Sequence, residues 1–274
     1  MNAGDADPPV TGRRRFIAPP RAAVAVAVFE QPLYHALHDF KGVLTAHDWP
    51  CMAALNGLLA VQGAGFVEQD DVLLADGLHY EVRIALRGQI ATRACNWHDL
   101  FNALVWIRYP AIKQALNARQ CEDIAALGPV RRSRAQAALT QFDESGVIVR
   151  VREPALLAAW DAHDWPQWFE PAAWRRGDIA VAAVVGHALM EQGLFPGRLL
   201  VGKCLVVVGE DDALAVAEVA RAVGEGRALQ DPLELRPLPL AGVPGWQPDG
   251  VDLAGRADYF RPLRPGRTYR APLA

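Results

Sequence analysis

His98 and Asn102 stand four residues apart in "NWHDLFNALVW", with Asp99 directly after the histidine. His187 and Glu191 repeat that spacing in "GHALMEQ". Residues at i and i+4 project from one face of a helix, so each pair can set an imidazole beside a group that orients it. Imidazole exchanges a proton near neutral pH and ligates metals, and an adjacent carboxylate fixes its tautomer or favours its charged form. If the two helices cross, His98, Asp99, His187 and Glu191 form one polar pocket, with Glu191 orienting His187 from the next turn. The same residues have a purely structural use. Asn96 can cap the helix and Asp99 can close a capping box, while His187 and Glu191 can satisfy each other inside the protein.

A third segment, "FDESG", offers Asp143 and Glu144. If it is the first strand of a hairpin, alternation sends the two carboxylates to opposite faces, and Asp143 is the one expected to point inward. Arg93 and Asn102 are the candidate substrate-binding groups beside it. Tyr80, Glu81 and Arg83 can join Arg93 around an anionic group, or form a surface ion-pair network. "AHDWP" occurs at 46–50 and at 162–166 with unrelated flanks. In each copy the aspartate can cap a helix that has proline in its first turn, which makes His47 and His163 local hydrogen-bonding residues.

Sharper enzyme signatures are missing. Ser133 and Ser145 are the only serines, and neither lies in a nucleophile elbow. "GRLLVGKC" approaches a phosphate-binding loop, but Cys204 replaces the hydroxyl residue and "LVVV" follows where that motif needs a helix. Cys51, Cys95, Cys121 and Cys204 lack the paired spacing of a zinc knuckle or redox motif. They read as four reduced, mostly buried thiols.

The elements that must position these residues can be read from periodicity and breakers. A helix is expected after Asp48, and "HYEVRIAL" alternates like a strand. Helices are expected over Trp97 to Tyr109 and from Ala111 to about Cys121, separated by Pro110. A short helix over Ala135 to Leu139 should lead to a hairpin of Thr140 to Asp143 with Val147 to Val151, turning at Ser145 and Gly146. Further helices are expected near Leu156, around Trp168 to Trp174 and over Ile179 to Gln192. "LLVGKCLVVVG" reads as a buried strand, and "DDALAVAEVARAVGEG" as a helix ended by glycine. From Leu233 the chain is rich in proline and should wrap the body as ordered coil, because Trp246, Tyr259 and Phe260 are costly to leave in water. The order of elements favours an α+β fold of mixed helices and short β-hairpins.

Composition bounds the rest. The chain has 274 residues, 51% of them hydrophobic, and a formal charge of -3 with its basic residues dispersed, so there is no clear nucleic-acid signal. The first twenty residues read as a loose arm, and 21–274 as one α+β domain or two closely packed lobes. The apolar run from Ala22 to Phe29 is too short to be a transmembrane segment, and no secretory signal is recognisable, which makes a cytoplasmic location the expectation.

Taken together, "NWHDLFNALVW", "FDESG", "GHALMEQ" and "PLPLAGVPGW" resemble the bacterial DUF3025 family, a group named for its unknown function, over most of the chain beyond the arm. The resemblance singles out Asn96, Trp97, His98, Asp99, Asn102, Asp143, Glu144, His187 and Glu191, with Gly245 and Trp246 in the C-terminal loop. It implies a cytoplasmic bacterial protein and supplies no established mechanism or cofactor. The functional expectation is a hydrolase of a small polar or anionic substrate. His187 or His98 moves the proton, Asp99 or Glu191 orients it, and Arg93 stabilises developing negative charge. A divalent metal on His98, His187 and a carboxylate can replace part of that scheme. The alternative is a noncatalytic domain that binds a ligand or another protein through the same pocket.

Overall fold

The computed structural model describes residues 16–128 and 131–274. The chain enters through 3-10 turns at Arg21–Ala23, Val26–Glu30 and Pro32–Phe40, followed by α1 (Lys41–Thr45) and α2 (Met52–Asn56). Next come β1 (Gly65–Glu68), α3 (Asp71–Leu74), α4 (Tyr80–Arg87) and β2 (Gln89–Thr92), with β1 and β2 paired in parallel, Gly65 opposite Gln89. The helices α5 (Trp97–Arg108), α6 (Pro110–Leu127) and α7 (Arg134–Ser145) lead into β3 (Gly146–Val151). Then α8 (Leu157–Asp161), α9 (Trp165–Trp168) and α10 (Pro171–Arg175) precede β4 (Ile179–Val184) and α11 (His187–Gly193). The chain closes with β5 (Val201–Val208), α12 (Asp212–Gly224) and β6 (Arg236–Pro239). A mixed four-stranded sheet in the order β4-β3-β5-β6, antiparallel except for β3 with β5, makes this an α+β fold. Among the described residues no helix is long and apolar enough to cross a membrane.

β3 is buried along its whole length and carries the core, with α12 packed against β3, β4, β5 and α6, and α11 against α5 and α7. The α5 and α6 helices part at Pro110 as the breaker rule requires, since proline starts α6 without needing its own N–H. β6 is an edge strand, which is why it tolerates Pro237 and Pro239: neither needs to donate to a further neighbour. The Pro-rich tail then wraps as coil. Tyr259 anchors it by donating to the Leu200 carbonyl at 2.6 Å and accepting from the Ala241 amide at 3.0 Å. Leu273 bridges to the end of β5.

Several local expectations are corrected. "HYEVRIAL" is the helix α4: His79 Nδ1 accepts from the Glu81 amide at its start, and Arg83 with Ile84 forms the buried face. The apparent alternation misleads because Arg83 is buried and Leu86 is exposed, the reverse of a half-solvated strand. No hairpin forms around Ser145. The Ser133 capping box launches α7, whose buried face is Ala135, Ala138, Leu139 and Phe142, so the helical period runs through the residues read as a strand. Ile179–Val184 is a strand, not helix, because its apolar side chains complete the ladder beside β3. After Asp48 only the short α2 forms, and Asp48 meets His47 at 2.8 Å on the surface without capping it. The second copy behaves as expected, Asp164 accepting from the Gln167 amide. The expected arm of residues 1–20 lies outside the described residues up to 15. Of the remainder, the Pro19 carbonyl accepts from Trp97 Nε1 at 3.0 Å and Phe16 packs on Phe195.

Candidate functional site

Two glycines decide the geometry of the site. Gly146 leaves α7 where a Cβ would lie 2.2 Å from the Phe142 carbonyl oxygen, and Gly186 passes so close that its Cβ would lie 2.5 Å from the Ser145 Cα. The Val185 and Gly186 amides both donate to the Gly146 carbonyl at 2.9 Å. This contact splices the C-terminal turn of α7 to the first turn of α11. Asp143 and Glu144 are thereby delivered beside His187.

On the other side, α5 begins at Asn96, whose Oδ1 accepts from the Asp99 amide at 3.0 Å. The Asp99 carboxylate does not return a bond to Asn96. It is instead held by Arg93 through the backbone amide at 2.5 Å, Nε at 3.0 Å and Nη2 at 2.7 Å. That clamp fixes the loop before α5 and sets His98 on the helical face that crosses α11.

The two imidazoles meet edge to face with ring centroids 4.5 Å apart, and their Nε2 atoms are separated by 3.1 Å. His98 Nδ1 lies 3.2 Å from Glu191 Oε2, so Glu191 orients His98 across the helix interface. The expected partnership of Glu191 with His187 on its own helix does not form. Behind His187, Nδ1 faces Asp143 Oδ2 at 3.9 Å and has no hydrogen-bond partner, although the residue is only 4% exposed. Glu144 completes the cluster, its Oε2 lying 3.8 Å from His187 Nε2. One donor atom each from His98, Glu144 and His187 falls within 4.8 Å of the others.

A chain of polar side chains supports this arrangement. Buried Lys113 donates to Asp143 Oδ1 at 2.5 Å and to Asn102 Oδ1 at 2.8 Å, and Asn102 Nδ2 donates to the Tyr80 hydroxyl at 3.0 Å. Burial alone would raise the Asp143 pKa, but the Lys113 ammonium overcomes it and holds the carboxyl below its usual range. Burial pushes His187 down to about 3, against the pull of Asp143, so its imidazole is neutral. His98 moves the other way. Burial opposes its protonation, but the Glu191 hydrogen bond and the charges of Glu144, Glu191 and Asp99 prevail and raise it. Burial also raises Glu144, against the favourable pull of His98.

These groups line a cavity of about 360 Å³. His98, Asp99, Asn102, Arg93, Asp143 and His187 all face it, together with Glu144, Tyr80 and Glu81, whereas Glu191 stands behind His98. A larger groove of about 520 Å³ runs beside β4 and Trp246, but it holds none of the clustered histidines and carboxylates. Arg83 is not at the cavity; it pairs with Asp76 on the far side of α4. The reading that admitted only Asp143 inward is corrected for Glu144, because adjacent helical residues near a helix end can both border one cleft. Lys113 went unnoticed, as one lysine inside a long helix carries no spacing signal.

Residues 64–264 match the model of a family described as "Protein of unknown function (DUF3025)". The chain belongs to the DUF3025 family. No curated protein and no solved structure matches it. All nine residues from Asn96 to Glu191 that carried the family resemblance lie inside the matched span, so this DUF3025 chain keeps its whole His/carboxylate cluster within the family region.

Proposed function

We propose that this protein is a hydrolase of a small polar substrate, working through a divalent cation of the zinc type held by His98, His187 and Glu144. One observation carries the reading: two imidazoles turn Nε2 toward the same point, with Glu191 hydrogen-bonded at His98 Nδ1 and the Asp143 carboxylate 3.9 Å from His187 Nδ1. Glu191 accepts a hydrogen bond from His98 Nδ1–H, and the Asp143 charge favours the Nδ1–H tautomer of His187 without bonding it. Both Nε2 atoms then present lone pairs to one another at 3.1 Å, which a shared cation resolves. Carboxylates behind ligating histidines are the usual way to fix that tautomer. Ligand atoms in a tetrahedral zinc site stand roughly 3.3 Å apart; the two separations from His187 Nε2 are 3.1 Å and 3.8 Å, and all three donor atoms lie within 4.8 Å of one another.

A cation at this point lowers the pKa of a bound water, the chemistry the site would need for hydrolysis at neutral pH. His98, His187 and Glu144 would hold the cation, which would supply hydroxide from water; its oxygen would add to the electrophilic carbon as the bond to the leaving group breaks, and the proton released would leave with that group. Arg93 has a smaller part than the sequence suggested, since Nε and Nη2 are committed to Asp99. A second reading is favoured by the direct Nε2 to Nε2 contact and the raised pKa of His98: without metal, protonated His98 donates to neutral His187 and the pair relays a proton.

Zinc titration calorimetry on metal-stripped protein tests the first reading, with Glu144→Gln and His98→Ala as comparisons. Stoichiometric binding that weakens in both variants is expected. Hydrolysis of a panel of nitrophenyl esters, anilides and nucleosides should then depend on added zinc and stop with EDTA. Absence of stoichiometric zinc binding rejects the metal site. Zinc binding without turnover of any compound points to the noncatalytic ligand-binding role.

A further inference from the structure

We infer that Glu81 makes the cavity selective for a substrate carrying a protonated nitrogen group, an ammonium, amidinium or guanidinium. This deepens the hydrolase reading and rests on it only in calling the bound cation a substrate. Three of the other carboxylates around the cleft have partners, and the fourth, Glu144, is a ligand of the proposed divalent cation. Asp99 is clamped by Arg93, Asp143 is held by Lys113, Glu191 is bonded to His98, and Glu144 stands against the histidine pair. Glu81 differs from all of them. Among the described residues no cation lies within salt-bridge distance of it, and the side-chain donor to its carboxylate is the neutral Asn117 amide, at 2.6 Å on Oε2.

A helix-capping role does not account for Glu81, whose carboxylate accepts from Asn117 and from no backbone amide of α4. A carboxylate in the first turn of a helix is stabilised as an anion and should titrate low. Glu81 moves the other way, raised to about 6 by burial, with the charge of Asp143 adding to it and Asn117 and Lys113 opposing. The groups around it are His79 and Tyr80 on α4, Lys113, Asn117 and Cys121 on α6, and Asp143 on α7. Lys113 is not its counter-ion: the ammonium bonds Asp143 and Asn102 and lies outside salt-bridge distance of Glu81. Glu81 lines the half-enclosed polar cavity, and among the described residues no hydrogen bond is made to its second carboxylate oxygen. A cationic nitrogen group supplies both the missing charge and the missing donors, and does so more strongly in a site shielded from water. Arg132 at the mouth donates to Thr140 Oγ1 at 3.2 Å and is exposed, so it borders the entrance without neutralising Glu81.

Three probes of equal chain length separate the possibilities: butylguanidinium, butylamine and butyrate, titrated by calorimetry into metal-stripped protein and again with zinc present. The guanidinium and amine should bind in competition with each other, and butyrate should not compete. Glu81→Gln should weaken the guanidinium by roughly tenfold or more, the usual scale for losing a charge-assisted hydrogen bond. In the wild type its binding should tighten as pH rises through about 6, where Glu81 ionises, and Glu81→Gln should flatten that rise. A readout that needs no variant is the Glu81 carboxyl resonance: saturating butylguanidinium should displace its titration to lower pH. Butyrate binding as tightly as the cations, or a Glu81 titration that does not move, overturns the inference. The metal-stripped titration makes failure of the Glu81 site distinguishable from failure of the zinc site. Cation binding with no zinc binding rejects the metal reading and leaves the role of Glu81 standing.

Discussion

Buried charge is handled in two opposite ways in this protein. Arg83, Arg150 and Arg236 are among its most enclosed polar residues, and each is satisfied in full view of its neighbours. Arg83 is 1% exposed and donates to Asp76, to the Leu73 carbonyl at 2.7 Å and to Gln89 at 3.2 Å. Arg150 ties β3 to Asp212 of α12 at 2.6 Å and to the Gly177 and Gly209 carbonyls. Arg236 grips Asp161 with Nε and Nη2 while lying over Tyr269. The cleft between α4, α5, α7 and α11 is the contrast: His187 Nδ1 has no partner, Glu81 has no cation, and burial raises both Glu81 and Glu144. Among the described residues Arg21 Nη1, Trp106 Nε1 and Trp168 Nε1 also lack partners, but this cleft joins an unpartnered imidazole nitrogen to carboxylates whose pKa burial raises, the mark of a site arranged for something that binds there.

The largest effect should come from breaking the structural side of this contrast. Arg83→Ala removes a buried guanidinium and its aliphatic stem, stranding the Leu73 carbonyl, although Asp76 keeps Arg87 as a partner. A loss of roughly 3 kcal/mol in unfolding free energy is expected from urea denaturation. A loss below about 1 kcal/mol would erase the distinction between the two kinds of burial.

The reverse profile is expected for His187→Ala. Its imidazole has no bond at Nδ1 to forfeit, so destabilisation should stay below that of Arg83→Ala, while zinc affinity falls by roughly a hundredfold through loss of a ligand. Unchanged zinc affinity in a folded variant would remove His187 from the site. One step further out, Glu191→Gln leaves the imidazoles in place but weakens the carboxylate that orients His98. Zinc affinity should drop by roughly ten- to a hundredfold, with little change in melting temperature.

The sequence made half of this cleft legible. Each histidine pair announced itself because the i to i+4 rule is local and both segments are helical, so His98 with Asn102 and His187 with Glu191 could be placed on faces before any contact was known. Which residue Glu191 serves was not legible, because its partner comes from another helix. Glu144 is hidden by the strand-like alternation of its segment, whereas the helix α7 runs to Ser145 and hands both carboxylates to the cleft at once. The α4 misreading hid more. Alternating apolar residues suggested a strand, and the buried Arg83 that makes the pattern helical is intelligible only with Asp76 in place. The same error concealed that Glu81 faces the cleft while Arg83 turns away, since on a helix residues two apart point in nearly opposite directions.

The smallest predicted effect sharpens the comparison from the cleft side, because a carboxylate kept for binding should weaken the fold that holds it. Glu81 has a pKa of about 6 in the folded protein, against 4.5 for an ordinary glutamate. Between those values the folded state holds more protons than the unfolded one, so stability falls as pH rises through the window. The favourable contribution is fully present below the unfolded value and lost above about 6. Glu81→Gln keeps an acceptor for Asn117 and removes the titration. At pH 7.5 the variant should therefore be more stable than the wild type by about 1 kcal/mol, and near pH 4 the two should melt together. Equal stability at both pH values would mean that Glu81 ionises in the fold as freely as in water, and the cleft would lose its least compensated charge.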